Sequence, residues 1–433
     1  MIANLRQRMP GVQFLGITLD CDNFLKQHGT GAFPLLASAM PLPNGSNVSG
    51  AELLNRTDEV ANSTTQFSFA VWSRRLKRLI RGVPGLASLL KRGRAQFAVI
   101  SREMSHFFKA YRVLRTQDLL LISGGGQLDD EWGGPWELPF ALCKWTVLAR
   151  LAGVPCAAAS VGACKMSSTA SRVFLSLTLR MCCYRSYREA KTRAIASSLL
   201  PRAKNDSVVP DVAFSLPDSE FPFPVGSIRK MARGRPVIAV SPIAYGKPGN
   251  WPTPDHGVHD RYLQQLARVL SCLSYRGYFV LVVCSSLGDD EGVIPDLLAR
   301  LSDELRQSLD EHVHFPTIRA WRDLVATLLD VDYLIASRLH GAILGFMTQT
   351  PTVAISFDPK VDWMMEDVHQ TAYLLRIRDF TAEEVLDALD RITVRRDAVL
   401  EQIVSYRKEA LFASSQQYDT LARLALARHQ QLN

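Results

Sequence analysis

A chain of 433 residues has room for two domains, each with a full core, and 47% apolar residues with 22 prolines fit an ordinary globular protein. The net charge of +8, from 50 basic and 42 acidic residues, suits anionic small molecules or a membrane surface. No nucleic-acid motif accompanies it, and no apolar run approaches the ~20 residues that span a bilayer.

The first residues are mixed and charged, so no signal peptide is expected and the predicted location is the cytoplasm, with the inner face of the membrane as the alternative. Met1 to Met9 reads as a helix with Ile2, Leu5 and Met9 on one face, ended by Pro10-Gly11. Val12 to Leu19 reads as a strand. An α/β domain normally opens with a strand, so the expectation is an N-terminal domain lacking its first one. Asp20 to Met40 reads as loop-rich, and Pro41 to Thr65, with its Asn, Ser and Gly, as a surface loop or lid. From Val71 to Arg94, Trp72, Leu76, Leu79, Ile80, Val83 and Leu90 fall near one helical face among many arginines and lysines. That segment is either a helix lying on an anionic membrane or the basic solvated face of a packed helix.

Ala95 to Arg115 continues as helix, and Asp118 to Ser123 is a strand running into Gly124-Gly125-Gly126-Gln127-Leu128-Asp129-Asp130. Glycines directly after a strand let backbone approach a ligand closely. The pattern is neither a Walker loop nor GxGxxG, and a plain tight turn is the alternative. Leu138 to Leu151 is an amphipathic helix, Pro155 to Val161 a strand, and Ser171 to Cys183 a helix. A short strand over Tyr184 to Glu189 carries Arg188 into a helix over Ala190 to Leu200. Pro217, Pro222 and Pro224 mark a linker, which divides the chain into domains at 1–216 and 225–395 with a terminal helix at 396–433.

Beyond the linker the alternation restarts. Val237 to Ser241 is a strand, Ile243 to Pro254 a loop with Lys247 and Trp251, Arg261 to Tyr275 a helix and Tyr278 to Cys284 a buried strand. After a polar loop at Ser285 to Gly292, Leu297 to Leu309 and Trp321 to Asp330 read as helices around a brief strand at Val313 to Phe315. Val331 to Ala336 is a buried strand, and Gly341 to Met347 a buried helix stopped at Pro351. Thr352 to Ser356 is another strand, and helices follow at Thr381 to Leu389 and Asp397 to Leu426. Strands alternating with helices argue for parallel α/β sheets.

Between two of those buried elements sits Ser337-Arg338-Leu339-His340. A strand-to-helix turn in an open α/β sheet faces the ligand crevice, and the helix start adds unpaired amides. An arginine and a histidine there make an anion site; the alternative is an arginine paired to a local carboxylate and a capping histidine. The eight cysteines form no CxxC pair and read as buried small hydrophobes. His256/His259 and His312/His314 match no ligand spacing, so no metal is expected.

At Ser123-Gly124-Gly125-Gly126-Gln127-Leu128, Ser186-Tyr187-Arg188-Glu189, Pro210-Asp211-Val212-Ala213, Ser337-Arg338-Leu339-His340 and Phe357-Asp358-Pro359-Lys360-Val361, the chain resembles the polysaccharide pyruvyl transferase family. Glu189 stands where that family usually has Asp, and Lys191 lies where Ser is common. The resemblance implies a fold similar to GT-B, two Rossmann-like domains with the site in the central cleft. It implies transfer of a pyruvyl group from phosphoenolpyruvate, as donor substrate, to a sugar of an exopolysaccharide or cell-surface glycan. The product is a pyruvate ketal, and phosphate is released. No other cofactor, metal or nucleic acid is implied, and a lipid-linked saccharide is one form of acceptor that the resemblance allows.

Phosphoenolpyruvate joins a carboxylate and a phosphate on a small frame, which arginine forks match. Arg338 and His340 are therefore the catalytic candidates, histidine because it titrates near neutral pH. Arg188, Gly124, Gly125, Gly126, Gln127, Ser337, Lys360 and Lys247 are the substrate-binding candidates, although either lysine reads equally as an ordinary exposed one. Asp211 reads as a tie at the domain boundary. Two other functions compete: a nucleotide-sugar glycosyltransferase of the same fold, and a non-catalytic scaffold in polysaccharide assembly, bound to membrane through 71–94.

Overall fold

The computed structural model describes residues 1–36 and 101–432, except positions 132, 165, 250, 252, 287, 289 and 291. The loop read at 41–65 and the basic segment at 71–94 lie outside the described residues. The described strands form three wholly parallel sheets. β1 (Leu15–Thr18) pairs with β2 (Gly31–Pro34) alone. A four-stranded sheet runs β3 (Leu120–Ser123), β4 (Cys156–Val161), β5 (Tyr184–Tyr187), β6 (Ser207–Val208). A six-stranded sheet has the order β12 (Leu374–Arg376), β11 (Thr352–Ser356), β10 (Tyr333–Ala336), β7 (Val237–Ser241), β8 (Phe279–Val282), β9 (Val313–His314). Every residue of β4, β7, β8, β10 and β11 is buried. Helices cover both faces, so these strands read as continuous apolar runs rather than alternating ones.

The helices follow the strands in sequence. α1 (Ile2–Arg8) and α2 (Cys21–His28) flank β1, and helical residues 101–114 (α3) precede β3. α4 (Leu138–Leu151), α5 (Thr169–Met181) and α6 (Ala190–Leu199) come after β3, β4 and β5. α7 (Ser227–Ala232) leads into β7, and α8 (His256–Tyr275) joins β7 to β8. α9 (Val293–Leu298), α10 (Asp303–Gln307) and α11 (Leu309–His312) lie between β8 and β9, and α12 (Trp321–Leu328) precedes β10. α13 (Leu339–Met347) joins β10 to β11, α14 (Pro359–Asp367) joins β11 to β12, and α15 (Ala382–Val394) and α16 (Arg396–Leu432) close the chain.

Most sequence expectations hold to within a few residues, and α4, β7 and β11 hold to the residue. The differences are instructive. The stretch from Asp20 contains α2 and β2 instead of loop, because the Asp20 carboxylate caps the Asn23 amide at 2.9 Å and Gly29 closes the helix left-handed. None of α2's own residues is buried, and its apolar residues, Cys21, Phe24 and Leu25, are too few to announce a helix. The single helix expected over Leu297 to Leu309 is three short ones, since the Ser302 hydroxyl accepts from the Leu305 amide and caps a fresh start at Asp303. α13 starts at Leu339, ahead of its expected start, which takes His340 into the first turn. α14 went unread, although Asp358 caps it and Pro359 occupies the first turn.

α16 is 37 residues long, about 55 Å at ~1.5 Å per residue. Its first half joins the core of the six-stranded sheet through Ile403 and Ala410. Its second half lays Tyr418 and Leu421 against Ala157 and Ala159 of β4, beside Leu5 of α1. Buried Gln417 takes hydrogen bonds from Tyr184 and Ser186 and donates to Ser160 at 3.1 Å, and the Arg428 guanidinium donates to the carbonyls of Gln117, Ala152 and Gly153. One helix therefore holds both large sheets. Leu421→Ala is expected to lower stability by about 2–5 kcal/mol, read as a lower urea midpoint, while Leu426→Ala, at a position 45% exposed, should change it by less than about 0.5 kcal/mol.

Candidate functional site

In the six-stranded sheet the chain moves outward from β7 through β8 to β9, and from β10 through β11 to β12 on the other side. The order reverses between β7 and β10, and the turns beyond their carboxyl ends open onto a crevice. The turn after β10 carries Ser337, Arg338, Leu339 and His340. Ser337 is buried; its hydroxyl meets the Tyr262 hydroxyl at 2.8 Å and its amide donates to the Ser241 carbonyl, so it anchors the turn. Arg338 makes a forked pair with Asp290, Nε and Nη2 reaching the two carboxylate oxygens at 2.5 and 2.9 Å. Asp290 is fully buried after β8 and also accepts from the Ala244 amide. His340 is exposed in the first turn of α13.

The turns after β7 and β11 flank this one. Tyr245, Trp251 and Phe357 bring their rings together there, with centroids 4.9 to 5.6 Å apart. Lys247 belongs to the same loop but turns to the Asp296 carboxylate and the Gly292 carbonyl, both at 2.6 Å.

The glycine turn after β3 comes to the same place from the four-stranded sheet. Gly124 and Gly125 have φ of 51° and 66°, values that favour glycine. The Gly125 carbonyl takes the Gly162 amide, and a Cβ on Gly124 would lie 2.8 Å from Val212. At Gly126 a Cβ would meet Lys360 Nζ at 3.1 Å. Lys360, in the first turn of α14, lies 3.6 Å from Asp129 and 4.0 Å from Asp358. Burial opposes its charge, but contacts with Cys164, Asp358 and Asp129 outweigh burial and raise its pKa. Burial lifts the Asp129 carboxyl, with Lys360 pulling it back, and burial also pushes the Cys164 thiol up. Gln127, half-buried, stands beside Gly125.

Arg188 is 4% exposed. Its guanidinium pairs with Glu189 and with Asp211 at 3.3 Å, and it lies against Gly162, where a Cβ would come within 2.8 Å. Asp211 also caps the Ala213 amide. Arg188 Nη2 has no hydrogen-bond partner, and the residue borders a cavity of about 10 Å³ lined also by Leu339, Ile343 and Asp367, room for about one water molecule.

The structure thus gathers Gly124–Gln127 with Lys360, and Arg188 with the first turn of α13, while Lys247 faces α9. Sequence reasoning missed Asp290, Asp129, Asp358 and Asp367. Asp290 had a signal: a carboxylate in a polar loop just past a buried strand. Among the described residues no group of histidines, cysteines and carboxylates could hold a metal ion, and no helix is long and apolar enough to cross a membrane.

Residues 69–359 match the family model for polysaccharide pyruvyl transferase. The chain belongs to the polysaccharide pyruvyl transferase family. No curated protein matches this pyruvyl transferase family member significantly. Solved structures similar to it include α,α-trehalose 6-phosphate synthase from Burkholderia multivorans, at 13% identity and TM-score 0.48, covering 76% of this chain and 77% of that one. The UDP-GlcNAc 2-epimerase from Neisseria meningitidis, bound to UDP-GlcNAc, matches at 10% identity and TM-score 0.45, over 75% and 82%. Anabaena HepE in complex with UDP matches at 13% and 0.44, over 76% and 80%. The family member's own two Rossmann-like halves, meeting at the carboxyl ends of their strands, form a GT-B-like α/β fold.

Asp367 gives the cleft a pH dependence. Its pKa is raised to about 6, first by burial, then by Glu189 and Glu366, with His369 and Lys191 opposing. An acid raised in the folded state holds its proton more tightly there than when unfolded. Its contribution is therefore full below the ordinary carboxylate range and is lost as pH rises through about 6. Asp367→Asn should raise the thermal midpoint relative to the parent at about pH 8 and leave it unchanged near pH 4. An equal or lower midpoint at the higher pH would contradict this.

Proposed function

We propose that this transferase moves a pyruvyl group from phosphoenolpyruvate onto two hydroxyls of a sugar in an exopolysaccharide or cell-surface glycan, forming a cyclic ketal and releasing phosphate. The observation that carries this reading is the turn after β10. It sets an arginine, a histidine and the start of α13 side by side at the point where the strand order reverses. A small anion with two oxyanion groups matches that combination, since the guanidinium offers a fork and the helix start offers amides and a positive dipole end. Lys360, at the glycine turn, adds a second cation for the phosphate.

In the reaction, a proton adds to the methylene carbon of phosphoenolpyruvate and the neighbouring carbon gains oxocarbenium character. One sugar hydroxyl adds to that carbon and loses its proton. Phosphate then leaves with its bonding electrons, and the second hydroxyl takes its place and gives up its own proton. Of the two protons released, one replaces the proton spent on the methylene carbon and the other leaves with phosphate. His340 is the proposed acid, an exposed imidazole in the turn that would hold the donor. Developing positive charge next to the donor carboxylate is stabilised by that carboxylate, which Arg338 orients.

Calorimetric titration of phosphoenolpyruvate and a panel of nucleotide sugars tests the donor. Arg338→Ala is expected to weaken phosphoenolpyruvate binding by at least about 1.5–3 kcal/mol, the scale of one charge-assisted hydrogen bond. Unchanged affinity, or binding of a nucleotide sugar in its place, would sink the assignment. His340→Ala should abolish acceptor-dependent phosphate release while the thermal midpoint stays near that of the parent. Near-normal turnover would remove His340 from the chemistry.

A further inference from the structure

One exposed apolar surface takes no part in the chemistry above. Trp136, in the 3₁₀ turn Gly134–Trp136, is 67% exposed. Its ring meets Phe174 at 5.5 Å and Phe140 at 5.9 Å. Val173 (52% exposed) and Leu177 (39% exposed) extend the surface along α5. Residues 173 and 177 are one helical turn apart and share a face. Arg172 and Arg180, both exposed, bracket that face, and α5 contains no carboxylate at all.

Single exposed apolar residues are ordinary, whereas a contiguous group with a tryptophan at its centre marks a contact surface. We infer that this face rests on the surface of an anionic lipid bilayer. The chemistry of the face selects that occupant. Tryptophan favours the boundary between headgroups and acyl chains. Arginines at both ends of an apolar strip lay their stems along it and carry their charge to lipid phosphates. A helix face with arginines and no acid is complementary to an anionic surface. The docking itself does not depend on the pyruvyl reading, because none of these residues belongs to the proposed site.

The test is co-flotation of the full chain with vesicles of phosphatidylcholine containing phosphatidylglycerol, and with phosphatidylcholine alone. Binding is expected to the first and much less to the second, and to weaken as salt is added. The combined variant Trp136→Ser, Val173→Ser, Leu177→Ser should lose affinity by about tenfold or more. Arg172→Glu with Arg180→Glu should lose the preference for anionic vesicles. All five positions are on the surface, and an unchanged thermal midpoint confirms that the variants fold. Bromine-labelled lipid should quench the parent's fluorescence more than that of Trp136→Phe. Parent-like flotation of both multiple variants overturns the proposal and assigns any binding elsewhere on the chain. So does failure of the parent to float, or lipid-free self-association that the triple variant abolishes, which would make a second copy the occupant.

Discussion

The buried carboxylate of Asp290 sets the geometry of the cleft. An ionised carboxylate without water costs several kcal/mol unless it is paired and hydrogen-bonded, and Asp290 sits where no solvent reaches. The Ala244 amide satisfies part of it, and the Arg338 fork supplies the countercharge. That requirement ties together the turns after β7, β8 and β10. The same carboxylate that neutralises Arg338 also orients it, and the Ser337–Tyr262 contact behind it keeps the turn from sliding. The arginine is therefore held in place by its turn, while His340, in the first turn of the helix that starts at Leu339, is left in solvent.

The two halves meet through charge as well as through α16. Lys360 reaches the glycine turn from the six-stranded half, and Asp367 meets Glu189 near the cavity under α13. Around that cavity three carboxylates, Glu189, Asp211 and Asp367, face one guanidinium. Burial raises Glu189 against the pull of Arg188, and it raises Asp367 with no arginine of its own. An excess of buried negative charge is eased either by a proton or by separation of the halves. α16 crosses both sheets and resists separation, so the proton is the cheaper response.

How far the sequence could be read follows from what kind of signal each element leaves. Strands buried on both faces leave continuous apolar runs, and β4, β7, β8, β10 and β11 were all legible for that reason. The glycine turn and the Arg338–His340 turn were legible because chemistry-bearing residues interrupt such runs at strand ends. α2 was not, because it buries nothing, and the three helices from Val293 to His312 were not, because serine starts leave the apolar pattern continuous across the breaks. The carboxylates were missed for a different reason. Asp290 and Asp129 act through partners far away in sequence, Arg338 and Lys360, and an acidic residue in a run of acidic residues after a strand looks the same whether it faces water or a distant cation. For Arg338 the two readings at the sequence level, anion site and local ion pair, prove compatible in geometry: the pair exists, at the mouth of a crevice.

That compatibility bears on how an anion would bind. Arg338, Arg188 and Lys360 already have carboxylates beside them, so the site has no large unbalanced positive charge to attract a ligand from a distance. An arriving dianion would compete with groups already in position, and the net gain would be smaller than three free cations would provide. Arg338 is forked onto Asp290 through Nε and Nη2, which commits its orientation and not its whole charge. Arg188 is buried beside the first turn of α13 and shares a small cavity with Leu339 and Ile343, which leaves little room for a ligand at its guanidinium. A ligand too weakly charged to displace a carboxylate would gain little here.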